Sequence, residues 1–425
     1  MFVAIRGDRF DGNAYVAEAV EKGAIGAIVS DASLAGAPRL AGTPLIIVAD
    51  TIAALQTLAN RVRRDSAAAV VAVTGSAGKS TTKEITAEFL SARYTVFRNR
   101  GNLNNHIGLP LSLLELRKKP DIGVLELGMN HAGEISTLVK IAEPDVRVWT
   151  NVGPAHLEFF GTVDAIAEAK AEILEGANSD SLLVANADDD LVMRHAGKFA
   201  GRVRTFAVDR PAEVSALAVR DAGIDGTIAI VRTPVGEAEF RTPLPGRANL
   251  SNVLAATAVA IRFEVPLTDI VERAAGLKPV ARRGEVIRAG GVTIVDDSYN
   301  SNPKALSRAL AMLAGEARYA RRVAVIGEML ELGAASADLH RAAGIEAARA
   351  DVSELIAVGG PSARAVADGA VEAGIPASRV HYVANSNDAA DLAAAVVKSG
   401  DVVLVKGSRG IRTEVVVDRL KAECA

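Results

Sequence analysis

Cysteine is almost absent from the 425-residue chain, since Cys424 is its only thiol. A single cysteine excludes an intrachain disulfide framework and a thiolate zinc cluster, and it suits a reducing compartment. Long apolar runs are also missing, because no stretch reaches the ~18 residues of a membrane-spanning helix. The start of the chain lacks the basic and long apolar segments of a secretory signal. We therefore expect a cytoplasmic protein with no membrane partner.

A large excess of either charge is lacking too. Lys and Arg number 48 and Asp and Glu 51, so the net charge of -3 gives no bulk signal for nucleic acid, and we expect no such partner. Apolar residues at 49% and charged residues at 23% are typical of globular proteins. The length exceeds one ordinary core and predicts roughly two to four domains.

The strongest motif consists of an apolar strand, a glycine-bracketed turn, a Lys-Ser pair and a helix. Gly75 and Gly78 let the backbone curl so that its N–H groups face an anion at the helix N-terminus. In such a phosphate loop Lys79 reaches the outer phosphates of a nucleotide and Ser80 holds Mg²⁺. Val73 stands where the full pattern has another glycine, so a plain glycine-rich turn with a solvated lysine is the alternative.

Alternation of short apolar runs with helical patterns predicts an α/β fold with mostly parallel sheets covered by helices. The pattern divides the chain into a small unit, a middle unit around the phosphate loop and a second full unit, at residues 1–66, 67–278 and 279–425. Three short strands with turn residues between them predict an antiparallel patch at one edge of the middle sheet, at residues 203–208, 227–232 and 238–242.

Two polar side chains follow strands that should end beside the phosphate loop, where parallel sheets bind ligands. Glu126 interrupts an apolar strand, and a carboxylate there is costly unless it is paired or bound to a metal. It is a candidate Mg²⁺ ligand, with a solvent-facing strand end as the alternative. His156 follows the next strand on a loop at the same edge, where it is either part of the site or ordinary polar surface.

Lys170 lies on the apolar face of a predicted helix. Thr162 can cap this helix, and Lys170 comes four residues after Ile166 and four before Leu174. A lysine there either extends to solvent or is functional. A desolvated lysine has a lowered pKa and a reactive neutral amine, and one possible outcome is carbamylation by CO₂, which makes a metal-binding carboxylate.

Several weaker signals follow strands in the middle and last units. Asn249 and Asn252 suit an adenine edge or a helix cap, and Arg283 lies in a linker from which it could reach transferred phosphate. Asp297 ends a strand and could accept ribose hydroxyls, and residues 406–409 hold a basic pair suited to an acidic substrate. Together they predict a cleft between domains.

These residues resemble the Mur ligases, the ATP-dependent amide-forming enzymes of peptidoglycan precursor synthesis. The shared pattern consists of residues 74–80, Glu126, His156 and Lys170. Further stretches resemble the branch of the family that adds D-alanyl-D-alanine: residues 101–110, 126–135, 296–303 and 329–333, together with His340.

The resemblance implies a UDP-precursor-binding domain at 1–66, a central ATP-binding domain at 67–278 and a Rossmann-like ligase domain at 279–425. It implies that ATP phosphorylates the carboxylate of UDP-N-acetylmuramoyl-tripeptide, and that the amine of D-alanyl-D-alanine attacks the acyl phosphate. ATP and Mg²⁺ are the implied cofactors, and we expect a monomer.

Site residues are carried over position by position. The implied catalytic residues are Lys79, His156 and Lys170. The implied nucleotide-binding residues are Thr74, Gly75, Ser76, Ala77, Gly78, Lys79, Ser80, Thr81, Asn249, Asn252, Arg283 and Asp297. The implied metal-site residues are Ser80, Glu126, His156 and Lys170.

One departure and several alternatives accompany the resemblance. Family members usually begin some tens of residues earlier with a Ser-x-Asp-Ser-Arg segment, whereas Met1 directly precedes the strand predicted at residues 2–5, so we expect weak binding of the UDP-precursor. The alternatives are another Mur-type ligase, a folate-polyglutamate-type ligase, or a regulator that hydrolyses ATP without ligation. The diaminopimelate-adding relative is disfavoured because the last domain has no Asp-Asn-Pro-Arg stretch.

Overall fold

The computed structural model describes residues 1–7, 9–155 and 157–423. It contains three α/β domains, each built on its own sheet, which confirms the predicted fold class. No helix in these three ranges combines the length and the apolar character needed to cross a membrane.

The N-terminal sheet is small and parallel, with strand order β1-β2-β3. Its elements are β1 (Phe2–Val3), α1 (Val16–Glu21), β2 (Ala27–Val29) and β3 (Leu45–Ile47). The first strand is thus shorter than the 2–5 predicted.

Helix α2 (Thr51–Ser66) connects the N-terminal and central sheets. At its start the Thr51 hydroxyl donates to the carbonyl of Ala4 at 2.9 Å. Near its end the Arg63 guanidinium donates to the carbonyl of Ala142 at 2.8 Å. The helix therefore packs on the central domain, and the predicted boundary after residue 66 stays a prediction.

The central sheet has nine strands in the order β12-β11-β10-β9-β8-β7-β4-β6-β5. Its strands are β4 (Ala69–Thr74), β5 (Val96–Arg98), β6 (Ile122–Glu126), β7 (Val146–Trp149), β8 (Leu182–Asn186), β9 (Arg202–Ala207), β10 (Val214–Asp221), β11 (Thr227–Thr233) and β12 (Gly236–Thr242). Its helices are α3 (Lys79–Leu90), α4 (Gly108–Leu113), α5 (Glu134–Ala142), α6 (Leu157–Phe160), α7 (Val163–Ala171), α8 (Asp190–Ala196), α9 (Gly246–Arg262) and α10 (Leu267–Ala275).

The predicted antiparallel patch is partly wrong. Strand β9, predicted as its first member, pairs parallel to both β8 and β10. It follows helix α8, and a strand that returns after a helical crossover joins its sheet in parallel. The antiparallel part is β10-β11-β12, and it includes a strand at Val214–Asp221 that the sequence pattern did not reveal.

The C-terminal sheet has the order β13-β14-β18-β15-β16-β17, with only β13 antiparallel to its neighbour. Its strands are β13 (Glu285–Ala289), β14 (Val292–Asp297), β15 (Arg321–Gly327), β16 (Glu354–Val358), β17 (Val380–Val383) and β18 (Asp401–Lys406). Its helices are α11 (Pro303–Ala314), α12 (Ser336–Arg349), α13 (Pro361–Glu372), α14 (Ser386–Val396) and α15 (Glu414–Glu423).

Apolar cores on both faces of the central sheet explain where a site can form. One core packs α3 and α9 on the sheet, and the other packs α2, α5 and α7 on the opposite face. Because both faces are covered, polar ligands can approach only at the strand ends. The adjacent strands β6, β4 and β7 end at one edge, and the candidate site lies there.

Candidate active site

The phosphate loop connects β4 to α3, and both of its glycines have positive φ, 148° at Gly75 and 82° at Gly78. A Cβ at Gly75 would overlap the Thr150 hydroxyl, and one at Gly78 would overlap Oδ1 of Asn252. Both positions therefore require glycine for backbone conformation and for space. The loop is buttressed by β7 on one side and by α9 on the other.

Asn151 and Thr150, just after β7, hold the centre of this loop. The backbone N–H of Ala77 donates to Asn151 Oδ1 at 2.9 Å, and the Thr150 hydroxyl donates to the Ala77 carbonyl at 2.6 Å. Sequence reasoning noticed this stretch only for the histidine that ends it. The available signal was a Thr-Asn pair directly after a buried strand.

Lys79 starts α3 and folds back over the loop, with Nζ donating to the carbonyl of Gly75 at 2.7 Å. Burial lowers the pKa of this amine, and the nearby guanidinium of Arg283 lowers it further, while Glu126 acts in the opposite direction. Lys79 is thus close to the Glu126 carboxylate and to an arginine of the C-terminal domain.

Glu126 is 4% exposed and is held by two donors. The Ser80 hydroxyl donates to Oε2 at 2.5 Å, and the Asn104 amide donates to Oε1 at 2.7 Å. The solvent-facing alternative for Glu126 is therefore wrong. Asn104 was not predicted as a site residue, although it lies in one of the stretches that carry the family resemblance.

The oxygens of Ser80 and Glu126 fit a magnesium ion. A hydroxyl and a carboxylate are the hard donors that Mg²⁺ takes, and it keeps several waters besides. Among residues 1–7, 9–155 and 157–423, no cluster of three His, Cys, Asp or Glu side chains could bind a metal. The described residues therefore do not form a metal site made only of such protein side chains. His156, a predicted metal and catalytic residue, lies outside the described residues.

Lys170 is 2% exposed on α7, so its predicted place on the apolar face is confirmed. The predicted cap is also present, with the Ala165 N–H donating to the Thr162 hydroxyl at 3.1 Å. Burial lowers the pKa of the Lys170 amine well below its ordinary value, and the charge of Lys79 adds to this. Burial therefore disfavours the charged form of this amine, and the neutral form is the one that reacts with electrophiles.

Arg147 fixes the segment that follows Lys170. It lies buried on β7 and donates to the carbonyls of Pro144, Ile173 and Glu175 at 2.6, 3.0 and 3.2 Å. Burial lowers the pKa of its guanidinium to about 10. Glu172, just after α7, contacts the N-terminus of α5, where it accepts from the Gly133 N–H at 2.6 Å. These contacts link the end of α7 to the sheet and to α5, and sequence spacing predicted neither the Arg147 bonds nor the Glu172 bond.

The two asparagines of α9 make contacts within the protein. Asn249 Nδ2 donates to the carbonyl of Pro245 at 2.8 Å, and Asn252 Oδ1 accepts from the Thr82 hydroxyl at 3.1 Å. Asn252 thus joins α9 to α3 beside Gly78. Their predicted role at an adenine edge stays a prediction.

The C-terminal domain brings charged groups to the same edge. The Arg283 guanidinium lies 4.1 Å from the centre of the Tyr299 ring, and Lys304 Nζ donates to the carbonyl of Val152 at 3.4 Å. Lys406 is buried and pairs with Asp297 at 2.6 Å. The residues of the predicted basic pair, Lys406 and Arg409, are therefore not equivalent, because Lys406 already has a carboxylate partner. Lys304 was not predicted.

Sequence profiles agree with this arrangement of domains. The profile of the Mur ligase middle domain matches residues 73–260, and that of the Mur ligase glutamate ligase domain matches residues 282–409. Together with the relatives described next, they show that the chain belongs to the Mur ligase family, as the sequence motifs predicted.

Within this family the chain is similar to UDP-N-acetylmuramoyl-tripeptide–D-alanyl-D-alanine ligases. It is 35% identical to that of Escherichia coli and 32% identical to that of Bacillus subtilis, in both cases over 99% of this chain and 90% of the relative. It also resembles the MurF ligase of Thermotoga maritima solved in complex with ADP, with a TM-score of 0.86, 31% identity, and coverage of 99% of this chain and 94% of the other.

The contact between Gly78 and Asn252 can be tested by a double-mutant cycle. Gly78→Ala should lower the free energy of unfolding by about 3 kcal/mol, from strain at positive φ and overlap with Asn252. In an Asn252→Ala background the same change should be less damaging, because the overlap is gone. Gly133→Ala is the matched control, since its φ is 86° with open space around it. Urea unfolding measures the four proteins of the cycle and the control, and equal losses from Gly78→Ala in both backgrounds would contradict the overlap.

The lowered pKa of Lys170 predicts a pH-dependent stability difference. The unfolded chain binds a proton at this amine below its ordinary pKa of 10.5, whereas the folded protein resists it. The penalty in native protein is therefore largest at low pH and vanishes above the ordinary lysine pKa. Lys170→Met should be more stable than native protein near neutral pH, with a gap that closes as the pH rises. Exposed Lys140→Met should show no such trend, and a constant gap would refute the shift.

Proposed function

We propose that this protein is the ATP-dependent, ADP-forming ligase that adds D-alanyl-D-alanine to UDP-N-acetylmuramoyl-tripeptide in peptidoglycan precursor synthesis. The observation that carries the proposal is the placement of the phosphate loop, Glu126 and Lys170 opposite Arg283 of the C-terminal domain. A nucleotide and a second substrate can meet between these groups, and the near-full-length relatives perform this reaction.

Charge neutralisation is the main chemical task of such a site. The γ-phosphate of ATP and the peptide carboxylate are both anionic, so their approach is unfavourable without nearby cations. Arg283 lies close enough to Lys79 for its charge to lower the pKa of the Lys79 amine. They reduce the repulsion as the carboxylate oxygen attacks the phosphate, and their half-buried positions strengthen the effect.

Ser80 and Glu126 are the residues that would hold Mg²⁺ at the phosphates, together with the predicted ligand His156. The ion supplies additional positive charge at the transferring phosphoryl group. The Ser80 hydroxyl already donates to the Glu126 carboxylate at 2.5 Å, so the two candidate donor oxygens are adjacent.

Lys170 has a defined chemical role in this proposal. Its neutral amine reacts with CO₂ and releases one proton, which gives a carbamate with two oxygens. The carbamate adds a negative charge beside Lys79 and so offsets the charge of that ammonium group. In this form Lys170 would serve as a metal ligand.

The acyl phosphate then reacts with the amine of D-alanyl-D-alanine. A tetrahedral intermediate forms, its nitrogen loses a proton, phosphate leaves and the amide remains. Water must be excluded during this step, because it would hydrolyse the acyl phosphate. We assign the peptide acceptor to the C-terminal domain, the UDP-precursor to the N-terminal domain and the reaction to the cytoplasm. One chain supplies both sides of the site, which supports a monomer.

Phosphate release tests the function directly. Release should require ATP, UDP-N-acetylmuramoyl-tripeptide and D-alanyl-D-alanine together, and mass spectrometry should detect the UDP-linked pentapeptide. Replacing the dipeptide by glutamate or diaminopimelate distinguishes other Mur-type ligases. Equal phosphate release without either acceptor would indicate a nucleotide-dependent regulator instead and would refute the ligase.

Lys170→Ala should abolish amide formation while it leaves the fold intact. Removal of the amine removes the carbamate and its metal ligand, so a loss of roughly 100-fold or more in kcat is expected. Added bicarbonate or short carboxylates should partly restore the rate, since they can occupy the vacated space. Lys140→Ala on the exposed face of α5 is the control, and full activity of Lys170→Ala would remove the residue from the mechanism.

A further inference from the structure

A turn of the central domain is inserted into the core of the C-terminal domain. The turn, Ala222 to Gly226, joins β10 to β11, at a distance from the phosphate loop along the sheet. Its Ile224 is 2% exposed and belongs to the apolar cluster formed by α11 and the C-terminal sheet. An apolar side chain of one domain thus completes the core of another.

A buried carboxylate holds this turn from the other side. Glu316, just past α11, is 1% exposed and accepts from the Ile224 N–H at 2.6 Å. A Cβ at Gly223 would overlap Oε1 of the same carboxylate, and the φ of 64° there also favours glycine. The fit allows little lateral movement of the turn against α11.

Two arginines of the C-terminal domain bind the turn at the protein surface. Asp225 accepts from Arg288 at 2.6 Å and from Arg318 at 2.5 Å, and Arg318 also donates to Glu316 at 2.9 Å. Withdrawal of the turn would leave the Glu316 carboxylate without its backbone donor and expose Ile224. Loss of a partner to a buried carboxylate is strongly destabilising, so this contact should persist through domain motion.

The contacts across the cleft differ in kind. Exposed Glu158 donates its N–H to the carbonyl of Glu331 at 3.1 Å, and exposed Lys304 reaches the Val152 carbonyl at 3.4 Å. Half-buried Leu157 packs against the cores of both domains. Exposed and half-buried groups can exchange protein partners for water at small net cost, so these contacts can open and close.

We propose that the turn Ala222–Gly226 is the fixed pivot about which the C-terminal domain rotates, so that Arg283 and Lys304 swing toward and away from the phosphate loop. The turn and the chain connection before β13 hold the C-terminal domain at separate places, which restricts its motion to rotation about the line between them. The residues of the turn and Glu316 act as positioning residues. The kinetic test and the shift with nucleotide rest on the proposed function, whereas the distances in the free protein do not.

Spin-label distances test the pivot without reliance on activity. In a Cys424→Ser background, one label pair sits beside the turn at Arg220→Cys and Ala317→Cys. A second pair spans the cleft at Asp164→Cys and Asp338→Cys; all four positions are exposed. The pair beside the turn should give a narrow distribution that does not shift with Mg²⁺ and a non-hydrolysable ATP analogue. The cleft pair should be broad in the free protein and shift with ligand.

Two outcomes would overturn the pivot. One is a distribution beside the turn as broad or as mobile as that across the cleft. The other is a cleft distribution as narrow as the one beside the turn in every ligand state, because nothing would then rotate. A separate nucleotide titration shows whether the protein binds ATP at all. If it does not, the proposed function fails, but the widths of the two distance distributions in the free protein still test the pivot.

Kinetics of the positioning residues give a second readout. Ile224→Ala should lower kcat about tenfold or more, because Arg283 and Lys304 arrive in poorer register. The KM for ATP should change little, since the phosphate loop belongs to the central domain. Val235→Ala in the exposed turn between β11 and β12 is the matched control and should retain native kcat. An unchanged kcat in a folded Ile224→Ala protein would contradict the positioning role.

Discussion

The gathering of positive charge at a water-poor sheet edge is the constraint on which the rest of this structure depends. Lys79 and Lys170 are close enough that the charge of Lys79 disfavours protonation of Lys170, and Arg283 acts on Lys79 in the same direction. Such groups can remain together only where a counter-charge is fixed or where one of them is neutral. The buried Glu126 carboxylate provides the first solution, and the desolvation of Lys170 provides the second. A site in this state favours anionic ligands, which complete its charge balance.

The surrounding fold keeps these groups from relaxing apart. Arg147 ties the end of α7 to the sheet, Asn252 ties α9 to α3, and Asn104 orients the Glu126 carboxylate. Each tie uses a buried or half-buried polar side chain among strand ends and helices, where an unmet hydrogen bond is costly. A buried polar contact also joins two domains: the Ile224 N–H of the central domain donates to the buried Glu316 carboxylate of the C-terminal domain. The contacts that hold each domain together and those proposed to let the domains rotate therefore differ in chemistry.

Much of the site could be predicted because the responsible signals are local. A glycine-bracketed turn between a strand and a helix indicated the phosphate loop, and the helical period placed Lys170 on a buried face. A carboxylate in an apolar strand indicated Glu126. The supporting residues were not predictable in this way, since Asn252 is 174 residues beyond Gly78 in the chain, and no local period marks the pairing. Strand β9 was misassigned for a related reason: strand direction depends on the crossover, not on the strand's own composition.

The sequence by itself determined the family, the α/β alternation and the charged residues of the candidate site, because these follow from residue type and short-range spacing. Only the tertiary structure decided which of them meet. It paired Lys406 with Asp297 and so removed half of a predicted basic pair. It brought the unpredicted Lys304 to the loop after β7, and it placed Ile224 of one domain inside another. Such contacts arise from packing between distant segments, and burial of apolar area and charge, not local propensity, selects them.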